Sequence, residues 1–186
     1  MPDEEIPFEV DDAVVLLLGA DVGGRERSGQ IKGVTRLEKL VFLLERETDA
    51  GEILTEDPQF KAYNFGPFSQ KVYQAVDKLV AAGLLTDSKR LSRSTEDSWE
   101  ASSILGADDV QTDYSTRDFE LTDLGREYYE ALAEELPGSV VRQAADLRNR
   151  FAGWRLRDLV RYVYERYERF TENSLIRDDI LGKGRA

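Results

Sequence analysis

Lys71, Gln74 and Lys78 fall at i, i+3 and i+7. A helix through them would carry two ammonium groups and a primary amide on one outer face. Ammonium groups neutralise phosphate, and a glutamine amide can hold adenine through two hydrogen bonds in a major groove. Arg36 and Lys39 would add phosphate contacts from the preceding helix, and Lys89, Arg90 and Arg93 from a following hairpin. The competing reading is an ordinary solvated face, because Asp77 interrupts the row. A second set lies near the C-terminus, where Tyr162, Tyr164, Tyr167 and Phe170 could line a dimer seam or a partner groove, or fill the core.

Other chemistry is narrowly bounded. The 186 residues include no histidine and no cysteine. That removes Ser-His-Asp and Cys-His nucleophiles and the usual zinc and haem ligands. Oxygen-ligand metals and carboxylate catalysis remain as types. Asp108, Asp109 and Asp113 are the nearest approach to a calcium loop, but they lack its glycine and distal glutamate. The glycines of 21–33 do not follow a strand, so they do not read as a phosphate-binding loop. The sequence therefore predicts no enzyme, no catalytic residue, no cofactor and no metal site.

The formal net charge is −12, which opposes simple nucleic-acid binding. Arginine outnumbers lysine and acids fill the polar stretches, a pattern that a salt-rich cytoplasm also produces. The charge is uneven. Residues 94–123 carry nine acids against Arg117, whereas residues 142–169 carry eight arginines (142, 148, 150, 155, 157, 161, 166 and 169) against four acids. Those arginines could form a local basic surface, or pair along a helix as Glu165 would with Arg161 and Arg169. No apolar run approaches the length of a membrane span and Ala13 to Leu18 is too short for a signal peptide, so a cytoplasmic location is expected.

The elements that must position these residues are legible as stripes and caps. Asp11 or Asp12 can cap a short helix through Gly19, and Asp21 to Gly33 reads as a loop. Thr35 and Glu38 form a T-x-x-E capping box ahead of Leu37, Leu40, Val41 and Leu44, which repeat at helical spacing. Arg36, Lys39 and Arg46 then fall on the opposite face. Residues 48–64 read as a connector, Gly66-Pro67 as a turn, and Ser69 as the N-cap of a helix to Ala82 that buries Val72, Val76 and Leu79. Gly83 ends that helix, and Leu84 to Arg90 should pair with Asp118 to Leu121 around a Ser- and Asp-rich wing. Thr122 caps a helix to Leu136, Ser139 starts another, and Leu156 to Tyr167 carries a continuous apolar stripe. The layout predicts a mainly α fold with a small β-hairpin wing, built on a winged-helix-like core with additional C-terminal helices. Its parts are an acidic lead with a short helix and Gly-rich loop at 1–33, a core at 34–136, and a helical extension at 137–186 that packs on the core or dimerises.

Three runs carry a family resemblance: Val34 to Leu44, Tyr63 through the Gly66-Pro67-Phe68-Ser69 turn, and Val72 to Leu84. Phe119 to Gly125 and Leu159 to Tyr167 extend it, so that it spans roughly Val34 to Ile176. Together they resemble the YwgA-like proteins and the related Panacea domain. The resemblance implies a helical, winged-helix-like fold of prokaryotic cytoplasmic proteins. The Panacea branch includes antitoxins that neutralise diverse toxins, and some members accompany defence or regulatory genes. It carries over no catalytic residue. Two functions follow as expectations. One is a DNA-binding transcription regulator linked to a toxin-antitoxin or defence system. The other is a protein-binding antitoxin or adaptor that does not touch DNA. A homodimer is expected from the apolar surface of Leu156 to Tyr167.

Overall fold

A computed structural model describes residues 7–23, 28–88 and 117–182. The expectations for Lys89, Arg90 and Arg93, for the wing and for Asp108, Asp109 and Asp113 fall outside these residues.

The described chain is mainly helical with a small antiparallel sheet of three strands. The order is α1 (Val10–Gly19), β1 (Gln30–Lys32), α2 (Val34–Glu47), α3 (Ala50–Ile53), β2 (Lys61–Tyr63), β3 (Gly66–Phe68), α4 (Gln70–Ala81), β4 (Leu85–Asp87), β5 (Asp118–Leu121), α5 (Asp123–Glu135), α6 (Gly138–Phe151), α7 (Leu156–Arg166), a 3₁₀ turn (Glu168–Thr171) and α8 (Arg177–Leu181). The sheet runs β1-β5-β4, with Ile31 opposite Phe119 and Leu85 opposite Leu121. The expected pairing of Leu84–Leu85 with Phe119–Leu121 is present. The Gly-rich loop, however, contains the third strand, β1. Its three residues are too few to show alternation in sequence.

α1 is the hub. It packs on α2, α4, α5 and α6 and reaches β1 and β5. Every residue from Asp12 to Leu18 is buried, which is why its sequence is apolar on all sides. Its start is held by the Glu9 amide donating to Asp12 Oδ2 at 2.9 Å, so Glu9 stands at the cap position expected for Asp11 or Asp12. Because α1 fills the centre, Val72, Val76 and Leu79 share one core with Leu37, Leu40 and Leu44 while α4 packs mainly on α1.

α2 differs most from its sequence reading. Val34 to Leu44 is buried throughout, including Thr35, Arg36, Glu38 and Lys39. Gly33, at φ 91°, caps the helix, so Thr35 lies inside the first turn and the T-x-x-E capping box is not the start. Glu38 instead accepts the Ser69 amide at 3.0 Å, and Lys39 Nζ donates to the Pro67 carbonyl at 2.9 Å. Ser69 completes this joint. Its Oγ donates to the Pro58 carbonyl at 2.6 Å and accepts the Val72 amide as the N-cap of α4. Two charged residues of α2 thus fix the segment that launches α4.

Gly66-Pro67 is not the turn itself. The turn is Asn64-Phe65, and Gly66 opens β3 opposite Tyr63. Gly66 has φ +88°, and a Cβ there would stand 2.6 Å from Tyr164 Cε1, so this position needs glycine twice over. The connector 48–64 also holds α3, which the reading as an irregular link misses.

The C-terminal elements close the core. Thr122 Oγ1 accepts the Gly125 amide at 3.0 Å, the expected cap of α5. α6 begins at Gly138, one residue before the expected Ser139. The α7 stripe is covered within the chain, with Leu156, Leu159, Val160, Val163 and Tyr164 each no more than 1% exposed. The surplus apolar surface on which the dimer expectation rested is therefore absent from α7. Among the described residues, no helix is long and apolar enough to cross a membrane.

Candidate interaction surface

α4 presents Gln74, Asp77 and Lys78 to solvent, with Lys71 half-buried at its first turn. The spacing expected from sequence is realised, but the cations do not stand alone. Lys71 Nζ lies 3.2 Å from Glu56 Oε2, while Glu56 Oε1 accepts the Val10 amide at 3.1 Å. Burial works to raise the Glu56 pKa, but that amide and Lys71 together hold it below its ordinary value. Lys78 Nζ lies 3.5 Å from Asp11 Oδ2, and its side chain is 66% exposed. There the balance is reversed, because burial of Asp11 outweighs Lys78 and its carboxyl titrates above the usual range. Asp77 is held by Arg117, which also grips Asp87 with Nε at 2.7 Å. Burial would lower the Arg117 pKa, yet the two carboxylates raise it. Sequence spacing could not show these partners, since Asp11, Glu56 and Arg117 come from three distant parts of the chain.

Arg36 and Lys39 do not join this face. Arg36 is 9% exposed and Lys39 1%, and the latter is committed to the Pro67 carbonyl. The expectation of exposed phosphate contacts there is corrected by the all-round burial of α2.

The aromatic set divides in two. Tyr164 and Phe170 are core residues, 1% and 5% exposed, and Tyr164 Oη pairs with Ser174 Oγ at 2.7 Å. Phe42 meets Tyr167 and Phe170 edge-to-face at 4.9 and 5.0 Å. Tyr162 and Tyr167 are half-buried, and their hydroxyls both donate to Glu47, the last residue of α2, each reaching Oε1 or Oε2 at 3.0 Å. Arg166 Nε approaches the same carboxylate at 3.2 Å, and Arg150 at 3.7 Å. Both guanidiniums stack on the Tyr162 ring, 5.0 and 4.9 Å from its centre. Glu47 therefore ties α2, α6, α7 and the 3₁₀ turn together. Helix periodicity marked the rings, but it carried no sign that one carboxylate would collect them.

The other arginines of 142–169 are likewise structural more than free. Arg148 is 2% exposed and donates to the Gln30 carbonyl, Arg157 pairs with Asp179 at 2.8 Å, and Arg161 Nε donates to the Ile180 carbonyl at 2.9 Å. These partners lie on other elements, whereas Arg155 pairs along its own helix with Asp158 at 2.9 Å.

Alkaline pH should loosen this unit. Burial pushes the Tyr164 hydroxyl up to about 12, and burial followed by Glu47 does the same for Tyr167. Both stay protonated in the folded chain after an unfolded tyrosine, near 10.0, has ionised. Their contribution is complete below pH 10 and is lost as pH rises toward 12. Thermal melts over that window should fall steadily, with tyrosinate absorbance appearing at unfolding. Melts that stay level across it would contradict the placement of both hydroxyls.

One aromatic row, exposed at Tyr63 and half-buried at Phe68 and Tyr73, lies outside the expected sites. Tyr63, Phe68 and Tyr73 stack in sequence at 5.0 and 5.4 Å, linking the β2–β3 hairpin to α4. Tyr63 is 44% exposed and nearby Leu175, whose amide donates to the Asn64 carbonyl, is 65% exposed. A shallow groove of about 350 Å³ between Glu45, Arg46, Leu54, Glu56 and Pro58 is polar, and the Thr55 hydroxyl on its wall donates to the Phe8 carbonyl at 3.2 Å. Among the described residues, no group of three or more carboxylates could hold a metal ion.

Comparisons of the chain with protein-family models, with curated proteins and with solved structures find no match.

Proposed function

We propose that this chain is a non-enzymatic DNA-binding regulator of winged-helix type, with α4 as the helix that enters the major groove. The observation that carries the reading is the antiparallel sheet β1-β5-β4 with α4 directly before β4, while α3, β2 and β3 stand between α2 and α4. Winged-helix modules meet duplex DNA through a helix that precedes such strands, the part α4 would play here. Its exposed polar groups are Gln70, Gln74, Asp77 and Lys78, of which Gln74 and Lys78 would serve base and phosphate. The Lys78–Asp11 pair is no bar, because an exposed pair contributes only about 0–1 kcal/mol and exchanges readily for phosphate. The resemblance to YwgA-like and Panacea proteins adds a toxin-antitoxin or defence setting, and a cytoplasmic one, to the same proposal.

Lys78→Glu should weaken binding to any duplex, and the loss should shrink as salt rises. Gln74→Ala should act on base preference instead, at a cost of about 1–3 kcal/mol at the affected position. Titration of the purified chain with its own upstream DNA, at low and at molar salt, tests both. Absence of binding throughout would end the regulator reading.

A second reading is a protein-binding antitoxin or adaptor. It is favoured by exposed Tyr63 and Leu175, with Tyr63 backed by half-buried Phe68 and Tyr73. On that reading the chain does not touch DNA, and Tyr63→Ala would abolish partner capture.

A further inference from the structure

The three cations along α4 are not held alike. Lys78 reaches Asp11 only at 3.5 Å and is mostly solvated, so a phosphate can take it at little cost. Arg117 is gripped by two carboxylates, and the Asp87 side chain is 1% exposed. Lys71 lies between these cases. Its partner Glu56 is fixed before any pairing, because the Val10 amide at the start of α1 binds the other carboxylate oxygen. A carboxylate already held in place loses little further freedom when it binds an ammonium, so it competes with phosphate better than a free surface acid would.

We propose that Glu56 is an autoinhibitory phosphate mimic that occupies Lys71 and withholds it from DNA; this rests on the DNA-binding reading above. The pair closes one phosphate site at the N-terminal end of α4 and leaves Lys78 open at the other. Non-specific affinity is thereby kept low on a face that would otherwise carry two free ammonium groups. Any contact that draws Glu56 off Lys71 raises affinity for duplex in general and leaves the Gln74 position unaltered.

The test is Glu56→Gln, which keeps an oxygen for the Val10 amide and removes the charge. Binding to a mixed-sequence duplex is measured by fluorescence anisotropy across a salt series. Glu130→Gln on α5, an exposed acid, gives the same change in net charge. Glu56→Gln should tighten binding about three- to fivefold near 0.1 M salt. It should also steepen the slope of log K against log salt by about 0.9, the value of one added phosphate contact. Glu130→Gln should leave the slope as it is. In the double variant Glu56→Gln, Lys71→Met the added slope should vanish, which ties the gain to this lysine. Equal effects of Glu56→Gln and Glu130→Gln, or a gain that survives in the double variant, would overturn the mimic while leaving the DNA reading intact. No binding by the native chain or by any variant would overturn both. A loss of cooperative melting in Glu56→Gln would be met by Glu56→Ala in the same salt series, with the same slope expected.

Discussion

Lys39→Ala should destabilise the fold by about 3 kcal/mol, a large share of the stability of a chain this size. The ammonium group is buried and donates to the Pro67 carbonyl at 2.9 Å. Alanine removes that donor, leaves the carbonyl without its charge-assisted bond, and opens the space filled by the side-chain stem. Lys39→Met, which keeps the stem, should cost less, since it also removes the penalty of a buried charge. Urea unfolding monitored by circular dichroism measures both. The result also separates two views of the residue. A phosphate-binding Lys39 on an exposed face would lose DNA affinity on substitution and keep its stability. Unchanged stability in Lys39→Ala would refute the joint between α2 and the α4 N-cap.

Tyr164→Ala should cost about 3–5 kcal/mol, the range for truncating a large buried ring. The ring lies against Gly66, where no side chain could coexist with it, and its hydroxyl pairs with Ser174. It also belongs to the small cluster of Leu156, Val160, Ile176 and Ile180 that anchors α8. Loss of the ring should therefore release the 3₁₀ turn and α8 before the rest. Hydrogen exchange should show the amides of 168–181 opening first, with those of α1 and α2 still protected. Uniform protection at native levels would mean that Tyr164 faces outward. Tyr164→Phe keeps the ring, and should cost only about 1 kcal/mol for the lost hydrogen bond.

The sequence was informative where one period or one cap decides the outcome. Ser69 and Thr122 cap their helices as their side-chain oxygens suggest, and Val72, Val76 and Leu79 turn inward. Leu85 finds Leu121 because the first follows the helix end at Gly83 and the second precedes the Thr122 cap. It misled where burial came from a distant element. Periodicity assigns Arg36, Glu38 and Lys39 to a wet face, since it counts apolar residues and treats charge as solvated. Here Glu38 and Lys39 serve two backbone groups of the Gly-Pro-Phe-Ser segment, 28 to 31 residues away. The candidate face shows the same division. The spacing of Lys71, Gln74 and Lys78 could be read, whereas their carboxylate partners could be found only through the fold.

The central position of α1 has a consequence for how the chain is made. Val10–Gly19 precedes α2, α4, α5 and α6, so it leaves the ribosome before any of the helices that will surround it. At about 5–20 residues per second, synthesis as far as α6 takes several seconds to tens of seconds. Throughout that interval a helix of mostly valine and leucine has no complete cover. The nascent chain is then a natural client for a holding chaperone. The acids at Asp3, Glu4, Glu5, Glu9, Asp11 and Asp12 are placed where charged gatekeepers discourage one such segment from joining another. Substitutions that neutralise Asp3, Glu4 and Glu5 would be felt first as lost yield on translation, whereas Asp12 also holds the start of α1.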